Sequence, residues 1–245
     1  MSGSMVIVDC YGASLTEGWS VDDGGAVTFE PYSRFMDARK FTCRNCGISG
    51  ETTAQVWQRM RSRYDGDEPR GGLSPNVQYV AVLAGTNDVA SGVHAHAVRA
   101  ADNIQVMCDW IDMNKAVPVL ITIPAVGVSV HAEWPDATSV RLVLNDRLRS
   151  LAAARGYPLV DLFDVTSESW SMADGVPTGQ SRSTAARRVL QRRFDADGLH
   201  LKSEGYELLA KLVSDAIVSH RTNGSLPLPA LMATGKVESS TPSNL

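Results

Sequence analysis

The stretch "VIVDCYGASLTEG", beginning at Val6, runs an apolar segment into Gly12 and then, two residues on, into a single serine, Ser14. A strand, a glycine turn and a serine at a helix start would expose that hydroxyl at the carboxyl edge of a sheet. The first backbone N–H groups of the helix are free there to bind an anion. A serine in this place also fits an N-cap, so Ser14 alone has two readings. Far along the chain, "DADGLHLKSEG" sets Asp197 and His200 three residues apart, ahead of the last helical pattern. A carboxylate beside an imidazole can fix its tautomer and stabilise the imidazolium formed on proton transfer.

Two more clusters follow apolar runs. In "NCGISGETT", Asn45, Gly47 and Gly50 precede a helix with Glu51 and Thr52 near its start. Glycines allow turns closed to other residues and let backbone approach a ligand; a plain glycine loop before a capped helix fits equally well. In "LAGTNDV", Asn87 and Asp88 follow Gly85. Polar residues at that end of a strand face ligands in open α/β sheets, and turn chemistry alone also favours Asn-Asp. The remaining histidines, His94, His96, His131 and His220, read as surface or loop residues. The His94-x-His96 pair lacks the carboxylate or cysteine spacing of a metal site.

The elements that must position these residues alternate. Strand-like runs fall at 5–11, 40–46, 77–85, 116–124 and 157–163, rich in Val and Ile and nearly continuous in apolar residues, as strands covered on both faces are. Between them lie amphipathic stretches. One carries the stripe Val56, Met60 and Tyr64; a second carries Ala100, Ile104, Met107 and Ile111. A third ends at Gly156, and the last has Leu208, Leu212 and Ile217 among its apolar positions. The pattern predicts an α/β fold of three layers, αβα, with a mostly parallel sheet; the expected form is a flavodoxin-like five-stranded sheet, taken in the order 2-1-3-4-5 of that fold. Loops after strands 1 and 3 then flank the switch point, with Ser14 on one side and Asn87 on the other. The Gly50 loop follows strand 2 on the same edge, so a nucleophile, hydrogen-bond donors and an oriented base would converge.

Length and composition set the frame. The 245 residues suit one domain over 1–220 followed by a Pro/Ser/Thr-rich, irregular tail at 221–245. With 44% hydrophobic residues, 20% charged residues and a net charge of −4, nothing points to nucleic acid as a partner. No apolar run is long enough for a membrane span, and the first residues lack the basic region of a signal peptide. Cys10, Cys43, Cys46 and Cys108 are too few for a disulfide scaffold. The lone CxxC at 43–46 lacks a second half for zinc, so reduced structural thiols and a cytoplasmic protein are expected. A polar connection at 164–196 holds Arg182, Arg187, Arg188, Arg192 and Arg193, read as a solvated face. The "SNL" terminus lacks the basic middle residue of a peroxisomal address.

Taken together, "GASLTEG", "NCGISGETT", "GTND" and "DGLH" resemble, in order, the four blocks of the SGNH hydrolases, also called GDSL-type esterases and lipases. The resemblance spans nearly all of the chain except the tail. It implies a serine hydrolase cleaving carboxylic esters, with small acyl or lipid-like substrates. Lysophospholipase, acetylesterase and thioesterase activities all remain open within it. Ser14 would be the nucleophile, His200 the general base and then acid, and Asp197 its orienting carboxylate. The oxyanion hole would be the backbone N–H groups of Ser14 and Gly50 with the Asn87 amide; Gly50 is preferred to Gly47 by the pattern x-S-G-[DE]-T. No cofactor and no metal is implied. Ala13 stands where the family usually has Asp, which bears on the rigidity of the nucleophile loop. The alternatives are an acyltransferase on the same scaffold and a catalytically weak ligand-binding protein. Val126, Val128 and Trp134 are candidate walls for the acyl group.

Overall fold

The computed structural model describes residues 5–21, 25–64, 70–125, 137–170 and 197–223. The expected tail beyond Asn223, the arginines at 182–193, His131, and the wall candidates Val126, Val128 and Trp134 lie outside them.

Five parallel strands form the central sheet: β1 (Val6–Gly12), β4 (Phe41–Gly47), β5 (Tyr79–Leu83), β6 (Val117–Ile121) and β7 (Leu159–Val160), ordered β4-β1-β5-β6-β7. In order of these parallel strands this is 2-1-3-4-5, the expected flavodoxin-like order. β5 is buried at every position, because it lies between β1 and β6 and is covered on both faces. β2 (Trp19–Val21) and β3 (Val27–Phe29) form a separate antiparallel pair that the sequence pattern did not reveal.

Seven helices connect and cover the strands among the described residues: α1 (Ser14–Glu17), α2 (Thr53–Met60), α3 (Thr86–Val89), α4 (His94–Met113), α5 (Ala137–Arg155), α6 (Leu162–Trp170) and α7 (Ser203–Thr222). Each long helix turns one stripe inward. In α4 this is Ala97, Ala100, Ile104, Met107 and Ile111; in α5, Val140, Leu144, Leu148 and Ala152; in α7, Tyr206, Leu209, Val213 and Ile217. α4 packs against both α2 and α5, whereas α7 packs with the 3₁₀ turn Tyr32–Phe35 and with β6 and β7.

Several boundaries differ from the pattern. α2 stops at Met60, so Tyr64 falls beyond it and is half-exposed beneath the Arg44 guanidinium. The run expected as a strand over 157–163 keeps only two strand residues and turns into α6 at Leu162. The polar connection expected from 164 therefore begins as helix. The Asp161 carboxylate accepts the Asp164 N–H at 3.1 Å, and Thr122 Oγ1 accepts that of Phe163 at 2.9 Å, so side chains satisfy the first donors of α6. His220 is not a loose surface residue either: its Nδ1 lies 3.0 Å from the Tyr79 hydroxyl at the far end of α7.

A buried ion pair ties β1 to β4. Asp9 is fully buried and accepts from Arg44 at 2.7 and 3.1 Å, and from the Ser74 N–H and hydroxyl at 2.7 and 2.6 Å. With every acceptor site used, the charge tolerates burial; loss of either partner would leave the other uncompensated. The four cysteines are thiols and form no disulfide, and burial pushes the thiols of Cys43 and Cys46 up to about 12.

Candidate active site

β1, β4 and β5 end together at their carboxyl edge, and three of the residues singled out from sequence follow those ends. Ser14 comes two residues after Gly12, Gly50 three after Gly47, and Asn87 four after Leu83. Gly12 lies so close to β5 that a Cβ there would stand 2.1 Å from the Leu83 carbonyl oxygen and 2.1 Å from Thr16 Oγ1. Only glycine lets β1 turn into α1 at this point. Ser14 is the first residue of α1 and Ala13 is its N-cap, so Ser14 does not cap the helix. Its hydroxyl is directed elsewhere.

His200 and Asp197 arrive from the segment ahead of α7. His200 Nε2 stands 2.9 Å from Ser14 Oγ, across 186 residues of sequence, and His200 Nδ1 stands 2.6 Å from Asp197 Oδ2. The other carboxylate oxygen, Oδ1, accepts the backbone N–H groups of Leu199 and His200 at 2.9 and 3.0 Å. Burial raises the Asp197 carboxyl, but the His200 side chain and these two N–H groups outweigh it, and Asp197 lies below the ordinary carboxylate value. An ionised carboxylate only accepts, so Nδ1 carries the proton and Nε2 is left to accept from the Ser14 hydroxyl. The Trp19 ring lies against the imidazole with centroids 4.1 Å apart, and the Tyr206 hydroxyl donates to the Trp19 carbonyl at 2.7 Å.

The structure separates the two glycines of the "NCGISGETT" loop. A Cβ on Gly47 would sit 2.1 Å from the Glu17 nitrogen, so Gly47 is required for close packing of β4 against α1. Gly50 has φ of +82° with open space around it, which marks a turn demanding left-handed backbone. Asn87 reaches the same loop, its Nδ2 donating to the Glu51 carbonyl at 2.8 Å. Neither the Ser14 nor the Gly50 N–H donates to another described residue. Asp88, beside Asn87, accepts the Thr53 N–H and hydroxyl at 2.9 and 2.7 Å and thereby holds the start of α2.

Sequence reasoning passed over two residues that the fold brings to this edge. Glu17 accepts from the Ser49 N–H and hydroxyl at 2.8 and 2.5 Å and from Arg70 at 2.7 Å, while its carbonyl receives Asn45 Nδ2 at 3.3 Å. It binds the serine turn to the Gly50 loop. This bears on Ala13: the turn has no capping side chain, and its bracing comes from Glu17 and from the Gly12 and Gly47 contacts. Trp19 is the second. An acidic residue and an aromatic within five positions of a candidate serine were the only signals available, and both are common.

No curated protein sequence matches this chain significantly. Among solved structures, a lipase/acylhydrolase from Enterococcus faecalis is 22% identical, covers 88% of this chain and 97% of its own, and superposes with a TM-score of 0.60. A GDSL-like lipase from Bacteroides thetaiotaomicron is 25% identical over 87% of this chain and 88% of its own, with a TM-score of 0.57. An inhibitor-bound aryl esterase of M. smegmatis shares the fold at 14% identity and a TM-score of 0.57, over 87% of this chain and 99% of its own. The sequence pattern of a family built for ester hydrolysis runs from residue 10 to residue 208, across the serine turn and the Asp197–His200 pair alike. On that match the chain belongs to the GDSL-like Lipase/Acylhydrolase family.

Proposed function

We propose that this protein is a serine hydrolase that cleaves carboxylic esters through an acyl-enzyme. The observation that carries the reading is the unbroken hydrogen-bonded chain from Ser14 Oγ to His200 Nε2 at 2.9 Å and from His200 Nδ1 to Asp197 at 2.6 Å. Ser14 Oγ attacks the ester carbonyl while His200 Nε2 takes its proton. Negative charge then grows on the carbonyl oxygen. On this reading the Ser14 and Gly50 N–H groups and the Asn87 amide receive it. When the tetrahedral species collapses, the bond to the alkoxy oxygen breaks and His200 returns its proton to that oxygen, releasing the alcohol. Water, deprotonated by the same imidazole, then attacks the acyl-enzyme; as the C–Oγ bond breaks, His200 gives that proton to Ser14 Oγ and the carboxylic acid leaves. Asp197 holds the imidazole in its tautomer throughout and balances the imidazolium charge. The substrates are esters of small or lipid-like acyl groups.

The test is labelling by a fluorophosphonate, which reacts only with an activated serine, together with hydrolysis of an aryl acetate. Ser14→Ala should abolish both while leaving the melting temperature close to that of the parent. Labelling that persists in the variant would refute the assignment of Ser14. A parent chain that is folded but neither labelled nor active would favour the ligand-binding alternative.

A further inference from the structure

We propose that the outward face of the β2–β3 pair is the subsite for the alcohol half of the ester, so that the protein favours esters of apolar alcohols. The proposal rests on the serine-hydrolase reading above.

Register defines the face. Trp19 pairs with Phe29, Ser20 with Thr28, and Val21 with Val27. Directly opposed residues of an antiparallel pair share a face, and alternate residues along a strand share one too. Trp19, Val21, Val27 and Phe29 therefore lie on one side, and Ser20 and Thr28 on the other. The arrangement is the reverse of what burial favours. Ser20 is 5% exposed, whereas Val27 and Phe29 are 51% and 52% exposed. A two-stranded unit that buries Ser20 and leaves Val27 and Phe29 exposed beside the half-buried Trp19 and Val21 gives up stabilisation unless something covers that face.

Continuity with the reacting atoms identifies the occupant. One end of the strip is Trp19, whose ring lies 4.1 Å from the His200 imidazole, centroid to centroid. His200 Nε2 must reach the departing alkoxy oxygen to protonate it, so the alcohol leaves from the imidazole side. On the serine-hydrolase reading the carbonyl oxygen faces the other way, towards the loop that Asn87 joins to Gly50 through the Glu51 carbonyl. The substituent on the alkoxy oxygen thus starts beside Trp19 and can run along Trp19–Phe29 to Val21–Val27, roughly 7 Å on at strand spacing. No ionisable side chain belongs to the strip, so a neutral alkyl or aryl group fits it and a charged headgroup does not.

The experiment compares kcat/KM for methyl, butyl and hexyl acetate, which vary the alcohol, with methyl acetate, butanoate and hexanoate, which vary the acyl group. A half-shielded methylene should raise kcat/KM about twofold, giving hexyl over methyl acetate a ratio on the order of 10–30. In Val27→Ser/Phe29→Ser that ratio should fall to within about threefold, and Phe29→Leu should retain it. The acyl series should keep the same trend in parent and variant. Equal alcohol ratios in both, or loss of the acyl trend instead, would overturn the proposal. Calorimetric titration of the Ser14→Ala chain with 1-octanol needs no turnover: binding should weaken about tenfold or more in the double variant, and equal affinity would overturn the subsite. A parent chain that hydrolyses no ester would refute the serine-hydrolase reading while the octanol titration still judged the strip. A dimer seen by light scattering and lost in Phe29→Ser would place a second copy on this face, which also overturns the proposal.

Discussion

Glu17→Gln is the sharpest probe of how the site is held, because Glu17 has no part in the chemistry. Its side chain is 13% exposed and takes three hydrogen bonds, two from Ser49 and one from Arg70. Glutamine keeps the shape but has one acceptor oxygen and an NH₂ that must face a donor. At least one charge-assisted bond, about 1.5–3 kcal/mol, is lost. The Arg70 contribution is discounted to well below ~1 kcal/mol, because that side chain is 42% exposed and screened by water. The expected loss of stability is therefore about 1–3 kcal/mol, a fall in melting temperature of roughly 3–10 °C for a chain of this size. The loop released is the one that carries Gly50, so kcat should fall with KM changed far less. The ceiling is the ~10²–10³-fold effect of losing an oxyanion donor outright, and about tenfold is expected for a loosened one. The pH dependence carries its own sign. Burial raises the Glu17 carboxyl, but the Ser49 and Arg70 contacts outweigh it, and the folded-state value is lowered. Its contribution to stability is thus present above the ordinary glutamate value of about 4.3 and is lost as pH falls through the lower folded value. Calorimetry of parent and variant should show the gap at pH 7 narrowing as pH falls below the ordinary glutamate value, with aryl acetate kinetics run beside it at pH 7. Equal melting temperatures and equal kcat at pH 7 would refute the bracing role. A drop confined to KM would place Glu17 in substrate binding instead.

Asn87→Ala should lower kcat on an aryl acetate by about 10²–10³ with little change in KM, and a twofold effect would mean that the amide only fastens the Glu51 carbonyl. Asp197→Asn should cost about 10³–10⁴ in kcat, because an amide no longer compels Nδ1 to carry the proton, and near-parent turnover would count against the tautomer argument. Since the Asp197 value is lowered, that carboxylate stabilises the fold above the ordinary aspartate value and ceases to do so as pH falls through its folded one. The stability difference between parent and Asp197→Asn should accordingly shrink between pH 5 and pH 2. Gly12→Ala would push a methyl to within 2.1 Å of a backbone oxygen in the neighbouring strand, and should cost at least the ~1–3 kcal/mol of an overpacked core in thermal denaturation.

Local chemistry was enough to read the sheet. A strand such as β5, covered on both faces, has to be apolar throughout, and 3.6-residue stripes such as Ala100, Ile104 and Met107 have to face a core. Strand count and the parallel α/β class followed from those periods; the strand order, and with it the shared edge of the loops carrying Ser14, Gly50 and Asn87, came from the flavodoxin-like arrangement expected of such a fold. The same periods misled where an apolar run is short. Leu162 and Phe163 continue the pattern of β7 yet begin α6, because Thr122 and Asp161 accept the N–H groups of Phe163 and Asp164. β2 and β3, three residues each and burying Ser20 instead of an apolar side chain, are too short to give a readable alternation. What tertiary structure alone decided is which loops meet. Gly47 and Gly50 are the same letter in one loop, and only the approach of α1 and a φ of +82° tell a packing glycine from a turn glycine. Glu17 braces residues 32 and 53 positions away, and His200 meets Ser14 across 186. Hydrophobic periodicity reports whether an element is buried; the contacts between its ends depend on sheet register and helix packing summed over the whole domain, and no single stretch of sequence contains that sum.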